Sequence, residues 1–198
     1  ELKRDRSFVF EAAEKDASAF AFAAEELKRD RSFVLEAIER DVFAFAFAAE
    51  ELSGDRVFVR RVLKHSPFAF MFVADGLKRD REFIKEAIRQ LADGFEVWPV
   101  EVFAFAADEL KSDRAFVIEM IRMCEDAFLF AADELRRDRA FVVKAAKHNV
   151  NVLQHASNDV RHDRALILKL VKGERGFALR HAADELKRDR SFVLKAIR

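Results

Sequence analysis

Apolar and polar positions return along this chain in one fixed order. Residues 20–38 read Phe-Ala-Phe-Ala-Ala-Glu-Glu-Leu-Lys-Arg-Asp-Arg-Ser-Phe-Val-Leu-Glu-Ala-Ile, and residues 45–63 overlay on them with the same frame. In the first half of the unit, Phe45, Ala48, Ala49 and Leu52 fall at helical spacing on one face while Phe43 and Phe47 fall four apart on another. That pattern predicts a first helix that is apolar on more than one side and lies inside a stack. In the second half, Phe33, Val34, Ala37 and Ile38 form one stripe, with Arg31, Glu36, Glu39 and Arg40 away from it. This predicts a second helix, from Arg31 to about Arg40, with one wet face. An alternating strand over Phe-Ala-Phe-Ala is the competing reading. Alanine is depleted in strands, and the alternation dissolves into Ala-Ala-Glu-Glu-Leu, which continues a helix.

The dipeptide Asp-Arg punctuates every unit, at Asp5-Arg6, Asp30-Arg31, Asp55-Arg56, Asp80-Arg81, Asp113-Arg114, Asp138-Arg139, Asp163-Arg164 and Asp189-Arg190. The steps are 25, 25, 25, 33, 25, 25 and 26 residues. Self-similarity at such a period is the mark of a repeat architecture. The expected fold is all-α: a right-handed α-solenoid of short helix pairs, with a repeat of about 25 residues and about eight units. The chain is read as one repeat array over 1–198, with units near 1–16, 17–41, 42–66, 67–91, 100–124, 125–149, 150–174 and 175–198. Each helix, at about ten residues, is too short to stand alone, so neighbouring units must supply its burial. Asp30 and its seven equivalents sit where an N-cap is wanted, because a short carboxylate accepts hydrogen bonds from the free N–H groups of a first turn. The chain starts and stops inside helical units without polar capping repeats, which predicts a longer polypeptide or ends covered by a partner.

The 33-residue step inserts eight residues around 91–102, where the only Trp and one of the two prolines occur. Insertions in repeat proteins map to loops on an edge. Phe95, Trp98 and Pro99 are therefore candidates for a specific partner contact, against the plainer reading that the loop folds back on its own array.

Composition narrows the classes. The 36 basic and 36 acidic residues cancel, which removes the broad attraction of a dedicated nucleic-acid or anionic-membrane binder. With 22 Phe, one Trp and no Tyr, the core gains apolar area with almost no hydroxyl groups. Apolar runs such as 42–49 and 67–74 are far short of the roughly 20 residues that span a bilayer. No transmembrane segment is expected, and peripheral membrane association through exposed Phe stays open. A lone cysteine, Cys124, and no secretory leader point to an intracellular, reducing compartment.

The stretches Ala-Asp-Glu-Leu-Arg-Arg-Asp-Arg-Ala-Phe-Val at 132–142 and Val-Leu-Gln-His-Ala-Ser-Asn-Asp-Val-Arg-His-Asp-Arg at 152–164 resemble the tandem repeats of domain-of-unknown-function family 4116. The resemblance covers nearly the whole chain. It implies a helical repeat fold and brings no assigned activity or catalytic residues. The chain departs from the family pattern in using Phe where Leu, Tyr or His is common.

Candidate chemistry is sparse. Five histidines occur, at 65, 148, 155, 162 and 181. His155 and His181 share the repeat position of Phe22, Phe47, Phe72, Phe105 and Phe130, which predicts substitutes in a core aromatic slot rather than zinc ligands. Cys124, at a helix C-terminal end beside Glu125 and Asp126, is expected to have a raised thiol pKa and no nucleophilic role. The Glu25-Glu26 and Glu50-Glu51 pairs recur with the repeat, whereas an active site needs a unique constellation. Glycine-rich phosphate loops and nucleophile elbows are absent from the sequence. The sequence thus predicts no enzyme, cofactor or metal site. The expected function is a structural or protein-interaction scaffold, an accessory subunit of a larger assembly. The rival is RNA, or another phosphate-bearing partner, bound along a repeated edge of Arg31, Arg56, Arg81, Arg114, Arg139 and Arg164. Against it, each basic turn follows an acidic pair, so local charge is largely self-neutralised.

Overall fold

A computed structural model describes residues 1–92, 100–173 and 177–197. All regular structure among the described residues is helical. The chain divides into two compact units, Glu1–Ala107 and Asp108–Arg198.

The expected second helix forms over Arg31–Arg40 and recurs at Arg56–Leu63, Arg81–Ala92, Arg114–Met123, Arg139–Ala146, Arg164–Gly173 and Arg190–Ala196. Its predicted stripe is the buried face: Phe33, Val34, Ala37 and Ile38 are enclosed, and Leu35 joins them. Its start is fixed by the predicted cap. Oδ1 of Asp30 accepts from the Ser32 and Phe33 N–H groups at 2.8 and 3.1 Å. The same oxygen of Asp5, Asp80, Asp113, Asp138 and Asp189 accepts from the N–H three residues on. Asp55 and Asp163 each cap two N–H groups.

The expected first helix is not continuous, and this corrects the helix-pair reading. Where one helix was expected over 42–53, the chain makes a 3-10 helix at Val42–Phe47 and then a short α-helix at Glu50–Ser53. Ala48 and Ala49 between them are extended, with ψ of 152° and 146°. The break has a tertiary cause. The Ala49 N–H, which would bond within a continuous helix, donates instead to the Lys28 carbonyl of the preceding repeat at 3.0 Å. The same bond joins Ala24 to Lys3, Ala74 to Ser53, Ala107 to Lys78, Ala132 to Lys111, Ser157 to Arg136 and Ala183 to Arg161, all at 2.8–3.0 Å. Each repeat is therefore tied to its predecessor by a main-chain bond, and Ala-Ala tolerates the extended geometry.

Four 3-10 segments bury their third and fourth residues, Ala44 and Phe45, Ala69 and Phe70, Ala127 and Phe128, and Val152 and Leu153, and Ala17–Phe22 buries its fourth, Phe20. The buried Phe meets the first-turn Phe of the long helix that follows: Phe45 lies 6.3 Å from Phe58, Phe70 is stacked 6.3 Å from Phe83, and Phe128 lies 6.2 Å from Phe141. The inserted residues end in a short α-helix, Val100–Ala104, in the place of a 3-10 segment, with Val102 and Phe103 enclosed. Within each unit, 3-10 segments of successive repeats pack together, as do successive long helices.

Candidate functional site: the arginine edge and the 3-10 face

Six arginines of the Asp-Arg dipeptides reach into the next repeat. Arg6 donates to Asp30 at 2.9 Å, Arg164 to Asp189 at 2.7 Å, and Arg139 pairs with Asp163 at 3.1 Å. Arg31 pairs in the same way with Asp55, Arg56 with Asp80, and Arg114 with Asp138. The carboxylate divides its work: Oδ1 caps its own helix and Oδ2 takes the preceding arginine. The guanidinium also lies over a buried Phe ring of the next repeat, Arg6 over Phe33 at 5.3 Å, Arg56 over Phe83 at 5.2 Å and Arg164 over Phe192 at 4.9 Å. The arginine edge is thus a seam of repeat-to-repeat contacts: Arg6, Arg31, Arg56, Arg114 and Arg164 are each committed to a carboxylate and a ring, and Arg139 to a carboxylate.

The seam depresses its acids. Hydrogen bonds from the Ser32 hydroxyl and the Phe33 N–H, with Arg6 adding, hold Asp30 below the usual aspartate value. The Phe58 N–H and Arg31 do so for Asp55, the Phe141 N–H and Arg114 for Asp138, and Arg164 with the Phe192 N–H for Asp189.

The opposite feature lies on the 3-10 segments. Phe43 and Phe68, at the second residue of their segments, are 56 and 51 % exposed, although Phe43 also meets Phe72 edge-on at 5.7 Å. Met71 and Phe22, the fifth and sixth residues of their own segments, add exposed apolar surface to the first unit. In the second unit the Phe43–Phe72 position is polar: Asp126 faces His155 at 3.4 Å, and Asn151 faces His181 at 3.2 Å.

Compared with known proteins, the chain matches the model described as Domain of unknown function (DUF4116) four times, over residues 5–53, 55–111, 113–161 and 163–198. The chain belongs to this family. Each DUF4116 match begins at the aspartate of an Asp-Arg dipeptide and contains two such dipeptides. No curated protein and no solved structure matches the chain.

Within this DUF4116 chain the other candidates are placed as follows. Phe95, Trp98 and Pro99 lie outside the described residues. The slot shared by His155 and His181 is not the core slot expected from the repeat phase. Phe47, Phe72, Phe105 and Phe130 are only half-buried there, and Phe22 is 66 % exposed, because the slot lies at the rim of the repeat junction. His181 is pushed below its ordinary pKa by burial and by the positive charge of Arg180, His155 and Lys187. His162 donates to the Asn158 carbonyl at 2.7 Å and meets Glu185 at 3.1 Å; both raise its pKa. Cys124 is buried, and its thiol is pushed up to about 11 by burial and by Asp126. Among the described residues, no three His, Cys, Asp or Glu side chains are arranged to hold a metal ion. No helix among them is long and apolar enough to cross a membrane. The recurring carboxylates serve as ion-pair partners, Glu25 with Lys28, Glu26 with Arg4 and Glu51 with Arg29.

Proposed function

We propose that this chain is a non-enzymatic scaffold that binds a protein partner within a larger intracellular assembly. In this reading its repeats, about eight in number, stack as a right-handed α-solenoid. The observation that carries the proposal is the exposed aromatic face of the first unit, built on Phe43, Phe68 and Met71. Large apolar side chains held outward on a rigid, repeat-built surface are what protein recognition uses, and their exposure costs hydration free energy that a partner's burial of them recovers. The inserted residues Phe95, Trp98 and Pro99 are proposed as a second contact.

The rival reading of an arginine edge tracking phosphates has less support, because each paired arginine would have to leave its aspartate to take a phosphate. An enzymatic role is equally poorly supported: the buried Cys124 thiol stays protonated at neutral pH, and the carboxylates recur as structural partners.

The test is native co-purification followed by reconstitution with the purified partner, read by light scattering. The intact chain is compared with F43S/F68S and with a variant carrying Gly-Ser residues in place of Phe95, Trp98 and Pro99. A stoichiometric complex that either variant loses supports the scaffold. A chain that purifies alone overturns it, and one that purifies with RNA brings the arginine edge forward.

A further inference from the structure

The second unit carries a feature that the scaffold reading does not use. A groove of about 280 Å³ opens where the short helix Asn158–His162 meets the segment before Asp184. It is roomy beside the roughly 30 Å³ share of one water. Its lining includes Arg161, Arg180, His181 and Lys187, together with the acids Asp184 and Glu185.

The two acids are already engaged. Lys187 holds Asp184 at 2.7 Å, and His162 meets Glu185 at 3.1 Å. Neither Arg161 nor Arg180 is in an ion pair among the described residues, and Arg161 acts on Asp184 through its charge, helping to lower that carboxyl's pKa. Arg161 reaches only the neutral Asn158 side chain, and its Nε is enclosed with no acceptor. Arg180 is exposed on the groove wall. A buried guanidinium N–H without an acceptor is costly, and an oxyanion is its natural complement. The same orphan recurs one repeat earlier at Arg136 Nε, in a groove of about 480 Å³ beside His155. There Asp133 is drawn onto Arg136, and Asp159 lines the wall, so that groove lacks two uncompensated arginines.

We propose that the Arg161–Arg180–His181 groove binds the phosphoryl group of a small phosphate monoester. Two guanidinium groups supply the fork donors that phosphate oxygens prefer, and the His181 ring lies on the wall beside them. A metal cation is disfavoured by the same positive charge. A polyanion such as RNA is disfavoured because carboxylates line both this groove and the one before it. Burial first, and then the positive charge of Arg180, His155 and Lys187, lower the His181 pKa.

The test uses the full chain with glycerol 2-phosphate and inorganic phosphate as probes, followed by calorimetry and by NMR of the histidine ring protons. The expected result is saturable binding of one monoester per chain that shifts the His181 signals. Affinity should be weaker by about tenfold or more in R161Q and in R180Q, and unchanged in R29Q, which lies in the first unit. Arg180 is exposed, so R180Q keeps the test valid even if R161Q disturbs folding. Stronger binding of inorganic phosphate than of the monoester would identify the free ion as the occupant and overturn the monoester assignment. So would a short single-stranded RNA that displaces the monoester. Absence of saturable binding at millimolar ligand, or equal binding by both arginine variants, would overturn the site altogether.

Discussion

At the scale of the residue, the aspartate of the repeated dipeptide does the most. One oxygen caps its helix and the other receives the arginine of the repeat before it, so its removal leaves first-turn N–H groups without an acceptor and an arginine without its partner. Asp55→Ala is expected to cost about 1 kcal/mol through the cap, with a smaller addition from the exposed ion pair, which solvent screens. Asp55→Asn keeps the cap acceptor and removes only the charge, so its loss in urea denaturation should be clearly smaller. Acid pH tests the same groups together. Asp30, Asp55, Asp138 and Asp189 are held below the usual value of 3.8 in the fold. Their contribution is therefore fully present above pH ~3.8 and is lost as pH falls further through the folded-state values. Melting temperature should stay level with respect to these groups down to about pH 5 and fall below about pH 4, and D30N/D55N should flatten the fall. Cys124 gives a third check: its thiol should resist an aromatic disulfide reagent at pH 8 in the native chain and react at once in urea.

At the scale of the element, the main lesson is the broken first helix. Phe45, Ala48, Ala49 and Leu52 do have helical spacing, and nothing in local propensity stops an α-helix running from Val42 to Ser53. What stops it is the preceding repeat, whose Lys28 carbonyl takes the Ala49 N–H. The value of that bond can be isolated. Ala49 has φ −61° and Ala48 is extended, so proline fits the backbone at 49 and chiefly removes the N–H. Ala49→Pro should cost about 1–3 kcal/mol by leaving the Lys28 carbonyl unsatisfied, read as a lower denaturation midpoint with unchanged helical circular dichroism. The aromatic positions separate by depth in the same segment. Phe45→Ala, at 1 % exposure, should cost about 3–5 kcal/mol, whereas Phe43→Ala should change stability little. Spacing alone places the two phenylalanines on different faces of a helix expected to lie wholly inside the stack; the 3-10 segment leaves the Phe43 face exposed.

At the scale of the whole molecule, charge balance and repetition set the behaviour. The formal net charge is zero and the sequence pI is about 7.2, so self-repulsion between copies is weakest near neutral pH. Solubility should pass through a minimum close to pH 7.2 and rise on either side, until acid unfolding intervenes; turbidity across a pH series checks this. Each unit is held by contacts between neighbouring repeats, which explains how segments of three to twelve residues persist without long helices.

The sequence by itself determined the period, the family, the all-helical class, the capping aspartates and the buried stripe of the long helix. All of these follow from spacing and from local hydrogen-bond chemistry, which a single chain displays directly. Only the tertiary structure decided that the arginine edge is a seam, that the first helix breaks at Ala48–Ala49, that the His155 and His181 slot lies at a half-buried rim, and that Arg161 and Arg180 line one groove. Each of those outcomes depends on what the neighbouring repeat places within about 3 Å of a donor, and a repeat read alone contains no neighbour.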